Sequence, residues 1–312
     1  MLLPIALIVL GLVILAFAGD HLMVGLGRLA GRLGLQPVMV GVVVMGLVAS
    51  VPEIVVAATA GLGGHEELAT ASLVGWNILN LTAVLGVGGL TAPLMIRSLL
   101  LQREALLSVA AVTIFAITLL EGLSWGAAVT LAVALISAVV LLVLLARAAP
   151  HDMVAAQSAG YLKTAELPRL RTEVPRTLVG LAGVLVGAQL LVINTSEVTA
   201  RAGASPDLVG FTLVAFAAAL PILITAIRAQ RHGYGDLLVG ALLGGNLCNS
   251  LAGGAIVALV TAGAPTMAST VIVAMVGIIG FIWALLARGI PLSRGPSALL
   301  VVAYFLALPL LT

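Results

Sequence analysis

Long apolar stretches, separated by short breaks at Gly, Pro or clustered charge, fill almost the whole of this chain. Of its 312 residues only 14 are basic and 12 acidic, and 62% are apolar. The mean hydropathy is +1.27. So few charges do not cover the surface of a soluble fold of this size. The pattern predicts an all-α membrane protein, and it excludes a soluble enzyme, a disordered chain and a nucleic-acid binder.

The breaks predict about ten transmembrane helices, because one span needs about 20 apolar residues. Their expected ranges are 2–33, 37–62, 67–91, 104–120, 124–146, 177–203, 207–230, 236–261, 267–287 and 297–311. The first is expected to stay as a membrane helix rather than be cleaved as a signal peptide, because no basic residue precedes it. The expected domains are a first five-helix repeat at 1–146, a cytoplasmic loop at 147–176 and a second, inverted five-helix repeat at 177–312.

Basic residues concentrate on one side of this expected topology. If the 147–176 loop is cytoplasmic, Arg201 alone falls outside, and the other 13 of the 14 basic residues, Lys163 among them, fall inside. This positive-inside asymmetry predicts that both termini lie outside. The compact loops are typical of a protein of the prokaryotic inner (plasma) membrane, with the lipid bilayer as its surroundings.

The chain matches itself when it is shifted by 169 residues. The shared positions pair Gly34 with Gly203, Gly41 with Gly210, Pro52 with Pro221, Gly75 with Gly244, Asn77 with Asn246, and Asn80 with Asn249. Each half has five expected helices, an odd number, so the halves enter the membrane in opposite orientations. Inverted repeats of this kind are typical of secondary transporters.

A proline–glutamate pair interrupts the second expected helix. Pro52 removes a backbone hydrogen bond, and the freed carbonyls can be satisfied in a membrane by a cation or water. Glu53 follows about 16 residues from the helix start, at a depth where a charged side chain costs at least about 2.5–3.5 kcal/mol. Glu53 is therefore a candidate ion or proton ligand, and the alternative is a protonated side chain that caps a broken helix.

Asparagines recur on the third and eighth expected helices. Asn77 and Asn80, like Asn246 and Asn249, are three residues apart and share one helix face. Their carbonyl oxygens suit hard cations, and their amide groups can also hydrogen-bond neighbouring helices. The alternative, that they only tie helices together, applies more to Asn77 and Asn246 than to Asn80 and Asn249.

These motifs resemble the cation/calcium exchanger superfamily, the Na⁺/Ca²⁺ exchangers and their relatives. Its members carry two inverted repeats, each with a G-T-S-L-P-E-like broken helix followed by a G-S-N-I-x-N/D-like helix. The corresponding segments here are 49–53 and 75–80, and then 218–222 and 244–249. The resemblance implies helices broken at Pro52 and Pro221, and an ion site of Ser50, Glu53, Asn77, Asn80, Asn246 and Asn249. Within it, Glu53, Asn80 and Asn249 are the expected ligands of a metal ion.

The second repeat departs from the family pattern. Ile222 stands where the family has its second glutamate, and its side chain cannot ligate an ion. Ala218 and Ala219 replace hydroxyl residues, and Trp76 opposite Gly245 replaces a pair of serines. With one carboxylate and several amides, a divalent ion keeps uncompensated charge in a low-dielectric site, which is a severe penalty. The residues therefore predict a monovalent cation or a proton rather than tightly bound Ca²⁺.

Acidic residues inside helices are few. Nine of the 12 are expected in or near loops or interfaces, and the other three are Asp20, Glu53 and Glu197. Of these, Glu53 alone is expected at a helix break near the midplane. The sequence thus predicts a site with a single carboxylate.

The leading hypothesis is a secondary active cation antiporter, with small cations as its partners and no covalently bound cofactor. The expected transported ion is Na⁺, with Ca²⁺ and H⁺ as further candidates. Two alternatives stay open: a transport-inactive relative that serves as a membrane scaffold or partner subunit, and a carrier of a different substrate. A monomer can suffice for transport, and the sequence leaves the oligomeric state open.

Overall fold

The computed structural model describes residues 2–162, 169–203, 205–261 and 267–307. Nine helices in this part of the chain are long and apolar enough to cross a membrane, and a shorter apolar helix follows them. We call them spans 1 to 10 in chain order: Leu2–Arg32, Pro37–Leu62, Glu66–Thr91, Leu99–Glu121, Trp125–Ala148, Leu170–Ala202, Gly210–Arg231, Gly235–Thr261, Ser269–Ala287 and Arg294–Ala307. The predicted helical membrane fold is confirmed. Lys163 and residues 308–312 lie outside the described part.

Two spans begin more than one helical turn earlier than predicted. Span 4 begins at Leu99 rather than at 104, because the Ser98 hydroxyl caps the helix by accepting a hydrogen bond from the Leu101 N–H. Span 6 begins at Leu170 rather than at 177. A short helix, Met153–Leu162, also forms where only a loop was predicted, and we call it the linker helix.

The linker helix packs across the ends of spans 2 and 8. The Ser158 hydroxyl donates to the Pro37 carbonyl at the start of span 2 (2.7 Å). The Gln157 amide donates to the Asp236 carboxylate at the start of span 8 (3.0 Å). Asp236 also accepts hydrogen bonds from the backbone N–H groups of Arg97 and Ser98. These contacts tie the starts of spans 2, 4 and 8 to one short helix.

Each contact between the two halves has an equivalent contact in which the two repeats change places. Span 1 packs on span 7 as span 6 packs on span 2, and span 3 packs on span 7 as span 8 packs on span 2. In the same way, span 3 packs on span 10 as span 8 packs on span 5. Span 1 also packs on span 6, and span 4 on span 9. Each of these contacts joins equivalent helices of the two repeats. This pairing is what an inverted repeat produces.

Spans 2, 3, 7 and 8 each contain one π-helical turn. These turns are Val40–Val44, Asn80–Val84, Gly210–Val214 and Asn249–Gly253. The turns of the second repeat fall at, or one residue from, the positions that the sequence repeat predicts. A π turn inserts a residue into the helix and occurs frequently at functional sites. The four central spans therefore share a local irregularity that the other described spans lack.

The sequence predicts helix breaks at both Pro52 and Pro221, and only the first occurs. Span 2 is interrupted at Ser50, between Met45–Ala49 and Val51–Leu62. The helix Ala215–Arg231 instead continues through Pro221, so the predicted break there is wrong. The Pro221 ring packs against Gly19 of span 1, where an added Cβ would lie 2.6 Å from the ring Cγ. The helix continues through Pro221 and lacks there the hydrogen bond that proline cannot donate.

Glycines bring the central spans into backbone contact. A Cβ on Gly46 of span 2 would lie 2.8 Å from the Cα of Gly244 in span 8. A Cβ on Gly75 of span 3 would lie 2.6 Å from the carbonyl oxygen of Phe211 in span 7 and 2.7 Å from its Cα. Small residues at membrane helix interfaces permit this approach. The two contacts hold the halves together on either side of the pseudo-symmetry axis.

We expect Gly75→Ala to destabilise the protein by about 1–3 kcal/mol, because its methyl group meets backbone atoms that must shift. The measurement is the apparent melting temperature of the detergent-purified protein. Gly277→Ala is the matched control, because an added Cβ there meets nothing within 4 Å. Equal melting temperatures for the two variants would contradict this account of the interface.

Candidate ion-binding site

The interruption of span 2 joins it to span 8. Ser50 lies between two helical segments, with a backbone conformation of φ −86° and ψ −8°. Its buried hydroxyl donates across the repeat interface to the Gly245 carbonyl (2.9 Å) and lies 3.1 Å from the Gly46 carbonyl. One serine hydroxyl thus satisfies carbonyls from both halves, and Glu53 follows in the next turn.

Glu53 and Trp76 are buried together at this interruption. The Glu53 side chain belongs to a residue that is 3% exposed, and Trp76 is fully buried. The polar groups that act on the Glu53 carboxyl are its own backbone N–H and the Trp76 indole. Glu53 Oε2 and Trp76 Nε1 are nevertheless both without a hydrogen-bond partner. The buried oxygen is therefore available to a cation or a water, whereas the buried N–H can pair only with an acceptor such as a water or the carboxyl itself.

The Trp76 indole fills the space opposite Gly245. An added Cβ on Gly245 would lie 2.7 Å from Cη2 of the indole and 3.6 Å from Nδ2 of Asn80. Glycine at 245 is thus what allows the large ring to lie between spans 3 and 8. The same contacts connect Glu53, through the indole, to the asparagines.

Four asparagines form a hydrogen-bonded network between spans 3 and 8. Asn80 donates to the Leu242 carbonyl and to Oδ1 of Asn246. Its repeat counterpart Asn249 donates to the Leu73 carbonyl and to Oδ1 of Asn77. These are the same two bonds with the halves exchanged, so the bonds that Asn80 and Asn249 donate follow the inverted repeat.

The network divides the asparagines into two kinds. Asn77 donates to the Ser250 hydroxyl (2.9 Å) and Asn246 to the Asn77 carbonyl (3.0 Å), and both also accept a bond at Oδ1. They therefore brace the helices. The Oδ1 atoms of Asn80 and Asn249 are buried and have no hydrogen-bond partner. With Glu53 Oε2, they are the unsatisfied oxygens of the residues that the sequence names as metal ligands.

The second-repeat side of the site is apolar. The side chains of Ala218, Ala219 and Ile222 are all buried. None of the three side chains carries an oxygen, so these positions of span 7 offer only backbone groups to an ion. The site is consequently asymmetric in charge, although Asn80 and Asn249 donate equivalent hydrogen bonds.

Sequence analysis missed a buried carboxylate that has no hydrogen-bond partner. Glu104 was expected near the membrane interface, but it is fully buried in span 4, and neither of its oxygens has a hydrogen-bond partner. Glu104 is therefore a further acid within a helix, beside the three that the sequence predicts there. The signal that was overlooked is Ser98, because a serine just before an apolar run starts the helix there and places Glu104 in its second turn.

Three other acids of the described spans form ion pairs with arginine. Arg28 of span 1 and Arg176 of span 6 both pair with Glu173 (2.9 Å each). Asp20 pairs with Arg228 of span 7 (2.9 Å). Glu197 pairs with Arg201 one turn along span 6. These acids are therefore neutralised by arginine, in contrast to Glu53 and Glu104.

Comparison with known proteins places the chain in a family. The family model described as sodium/calcium exchanger protein matches residues 3–145 and 175–312. The chain belongs to this family. The resemblance carried by the broken-helix and asparagine motifs is thereby confirmed, and the chain is a membrane transporter rather than an enzyme.

Its relatives include two bacterial proteins. The inner membrane protein YrbG of Escherichia coli is 30% identical over 267 residues, which cover 84% of this chain and 82% of YrbG. The putative antiporter CaxA of Alkalimonas amylolytica is 30% identical over 259 residues, which cover 81% of this chain and 79% of CaxA. The sodium-calcium exchanger NCX_Mj, in a structure soaked with Na⁺ and Sr²⁺, shares the fold with a TM-score of 0.73 at 24% identity, covering 100% of this chain and 99% of that chain.

We expect Asn77→Leu to lower stability by about 1–3 kcal/mol, because it leaves buried partners on span 8 unsatisfied. The loss is expected to be the same in sodium and in choline salts, since this residue braces helices. Asn194→Leu is the control, because the Asn194 amide donates only to the Leu190 carbonyl of its own helix. Apparent melting temperatures of the purified variants measure both effects. A loss seen only in sodium would contradict the bracing role.

Proposed function

We propose that this protein is a secondary active cation antiporter whose central site binds a monovalent cation or a proton. The observation that carries the proposal is the set of buried oxygens without hydrogen-bond partners on Glu53, Asn80 and Asn249. Burying such groups is costly unless something pairs with them. Membership of the exchanger family supports a small cation as that partner.

Charge balance supports a monovalent ion. Glu53 supplies one negative charge, and the amide oxygens of Asn80 and Asn249 supply none. Ile222 and its neighbours on span 7 add no ligand. One Na⁺ or one proton therefore gives a neutral site, whereas Ca²⁺ leaves a net charge and lacks its usual six to eight oxygens. Na⁺ is the ion that we assign to the site, with H⁺ as its competitor.

Alternating access follows from the inverted repeat. The two halves meet around the site through spans 2 and 8 and through spans 3 and 7. In our proposal they rearrange relative to one another so that the site opens to each side of the membrane in turn. The long contact of span 1 with span 6 is formed by one helix from each half.

The proposed orientation places both termini outside and the segment 147–176 in the cytoplasm of a prokaryotic cell. The basic residues support it through the positive-inside rule, and the inner-membrane location of the E. coli relative agrees with it.

The first test concerns Glu53. In proteoliposomes, Glu53→Gln is expected to reduce Na⁺-driven or pH-driven cation flux at least about tenfold, because a neutral amide no longer balances the ion. Glu67→Gln is the control, since Glu67 is exposed at the start of span 3. Equal flux in wild type and Glu53→Gln would contradict the assignment. Wild-type protein without any ion-driven flux would favour a transport-inactive scaffold instead, a role that the indole filling the site also suggests.

The second test concerns selectivity. The double variant Trp76→Ser, Ile222→Glu restores the residues that the family carries at these positions. We expect it to gain stabilisation by Ca²⁺ in a thermal-shift assay, because a second carboxylate balances a divalent ion. Wild-type protein is expected to show little response to Ca²⁺ in the same assay. Strong Ca²⁺ stabilisation of the wild type would contradict the proposed monovalent site.

The third test concerns orientation. In a Cys248→Ala background, single cysteines are placed at the exposed positions Glu67 and His151. A membrane-impermeant maleimide is expected to label the Glu67→Cys variant in intact cells, and His151→Cys only after the membrane is opened. The reverse pattern would contradict an outside N-terminus.

A further inference from the structure

The linker helix rests on the first half of the protein. The Ser158 hydroxyl donates to the Pro37 carbonyl at the start of span 2 (2.7 Å). The Arg28 guanidinium of span 1 donates to the Leu162 carbonyl at the end of the linker helix (3.0 Å). Residues 149–152 alone join this helix to span 5. The linker helix is therefore tied to the first half both by the chain and by its contacts.

A buried carboxylate of the second half accepts three hydrogen bonds from the first half and the linker helix. Asp236, at the start of span 8, is 2% exposed. Its Oδ1 accepts from the backbone N–H groups of Arg97 and Ser98 (2.8 Å each), and its Oδ2 accepts from the Gln157 amide (3.0 Å). The Gln157 side-chain oxygen in turn accepts from the Leu237 N–H (2.9 Å). We call the two bonds of Gln157, to Asp236 and to Leu237, the latch.

The opposite face of the protein carries the repeat counterpart of this docking surface. The offset of 169 residues pairs Asp236 with Glu67, Leu237 with Leu68, and Pro37 with Pro206. Glu67, Leu68 and Pro206 line a cavity of about 400 Å³. Glu67 is exposed, whereas Asp236 is buried. The linker helix therefore fills one of two equivalent positions, and a cavity lies at the other.

Spans 1 and 6 extend this equivalence. Gly27 of span 1 packs against Leu162, because an added Cβ there would lie 2.8 Å from Cδ2 of the leucine. The repeat counterpart of Gly27 is Ser196 of span 6, which lines the cavity on the opposite face. The positions that the linker helix covers on one face thus have counterparts around the cavity on the other.

Alternating access makes the latch incompatible with one of the two states. In an inverted repeat, the halves exchange their arrangements between the states, so a face that is packed in one state opens in the other. The latch joins span 8 to a helix that the first half carries. These bonds must break when the halves separate at this face.

We infer that the linker helix is a gate, which closes the face where spans 2 and 8 begin until Gln157 releases Asp236 and Leu237. The gate deepens the proposed function and rests on it, because it needs the two halves to rearrange. In the proposed orientation this face is the cytoplasmic one. When the gate opens, the linker helix stays with the first half, and the start of span 8 moves away from it.

A reversible bridge between the linker helix and the second half tests the gate, with Cys248→Ala as the reference protein. Ala156 of the linker helix, Gly235 of the second half and Met95 of the first half line one cavity of about 420 Å³. The pair Ala156→Cys, Gly235→Cys is bridged with short bis-methanethiosulfonate reagents, which a thiol reductant removes. In proteoliposomes we expect the bridge to reduce Na⁺-driven cation flux at least about tenfold, because it holds the halves together. The reductant is expected to restore the flux.

The pair Ala156→Cys, Met95→Cys is the matched control. It places the same reagents in the same cavity but joins the linker helix to the first half, so its flux is expected to stay unchanged. Unchanged flux in the bridged Ala156–Gly235 pair overturns the gate, since the helix is then a fixed support. An equal loss in both pairs also overturns it, because the bridge to Met95 does not join the halves.

A labelling experiment in detergent tests the latch without transport. Val154 of the linker helix is fully buried and packs against Gly41, whereas Ala156 is exposed. We expect Gln157→Ala to speed maleimide labelling of Val154→Cys at least about tenfold, because local opening exposes the thiol, and to leave labelling of Ala156→Cys unchanged. An unchanged rate for Val154→Cys overturns the latch. Faster labelling in a protein without ion-driven flux contradicts the proposed function and still supports a linker helix that opens at Asp236.

Discussion

The structure depends on how four buried amides are satisfied between spans 3 and 8. In a membrane, an unpaired amide N–H has no water to bind, so each must find an acceptor within the protein. The asparagines meet this demand by donating across the repeat interface, to backbone carbonyls and to one another. Because all donors point across the interface, two oxygens, on Asn80 and Asn249, remain without partners. Helix packing and the two free oxygens are thus two results of one network.

The symmetry of the backbone and the asymmetry of the charges have separate origins. Glycines at the contacts of spans 2 with 8 and 3 with 7 allow backbone contact, and each repeat supplies half of each interface. The buried carboxylates of Glu53 and Glu104 do not follow the repeat. Glu53 has no acidic counterpart, because Ile222 occupies that position, while Glu104 lies on a span outside the asparagine network. This distribution of charge is the reason that we propose a monovalent ion, for which one carboxylate is enough.

Much of the fold and of the asparagine network could be predicted from the sequence. The repeat offset that aligns Asn80 with Asn249 also predicts that the two residues make equivalent hydrogen bonds. The lengths of the apolar stretches predicted the spans, and the broken-helix and asparagine motifs predicted the family. The errors were local. The start of span 4 was predicted at 104, immediately after Arg103, which placed Glu104 near the membrane interface. Ser98 is a good helix cap and indicates an earlier start. The break expected at Pro221 does not occur, and the Pro221 ring packs against Gly19, a residue of another helix. Such tertiary accommodation is not visible in the local sequence.

The claim at the centre of this account is that Glu53, Asn80 and Asn249 together hold one monovalent cation. Anomalous diffraction from crystals in which Tl⁺ replaces Na⁺ tests it most directly, because a heavy monovalent ion reveals its own position. The account predicts a Tl⁺ peak in contact with Glu53 Oε2 and the free Oδ1 atoms of Asn80 and Asn249, displaced when Na⁺ is returned. Crystals that show no Tl⁺ at Glu53, or that show a divalent ion there in its place, would contradict it.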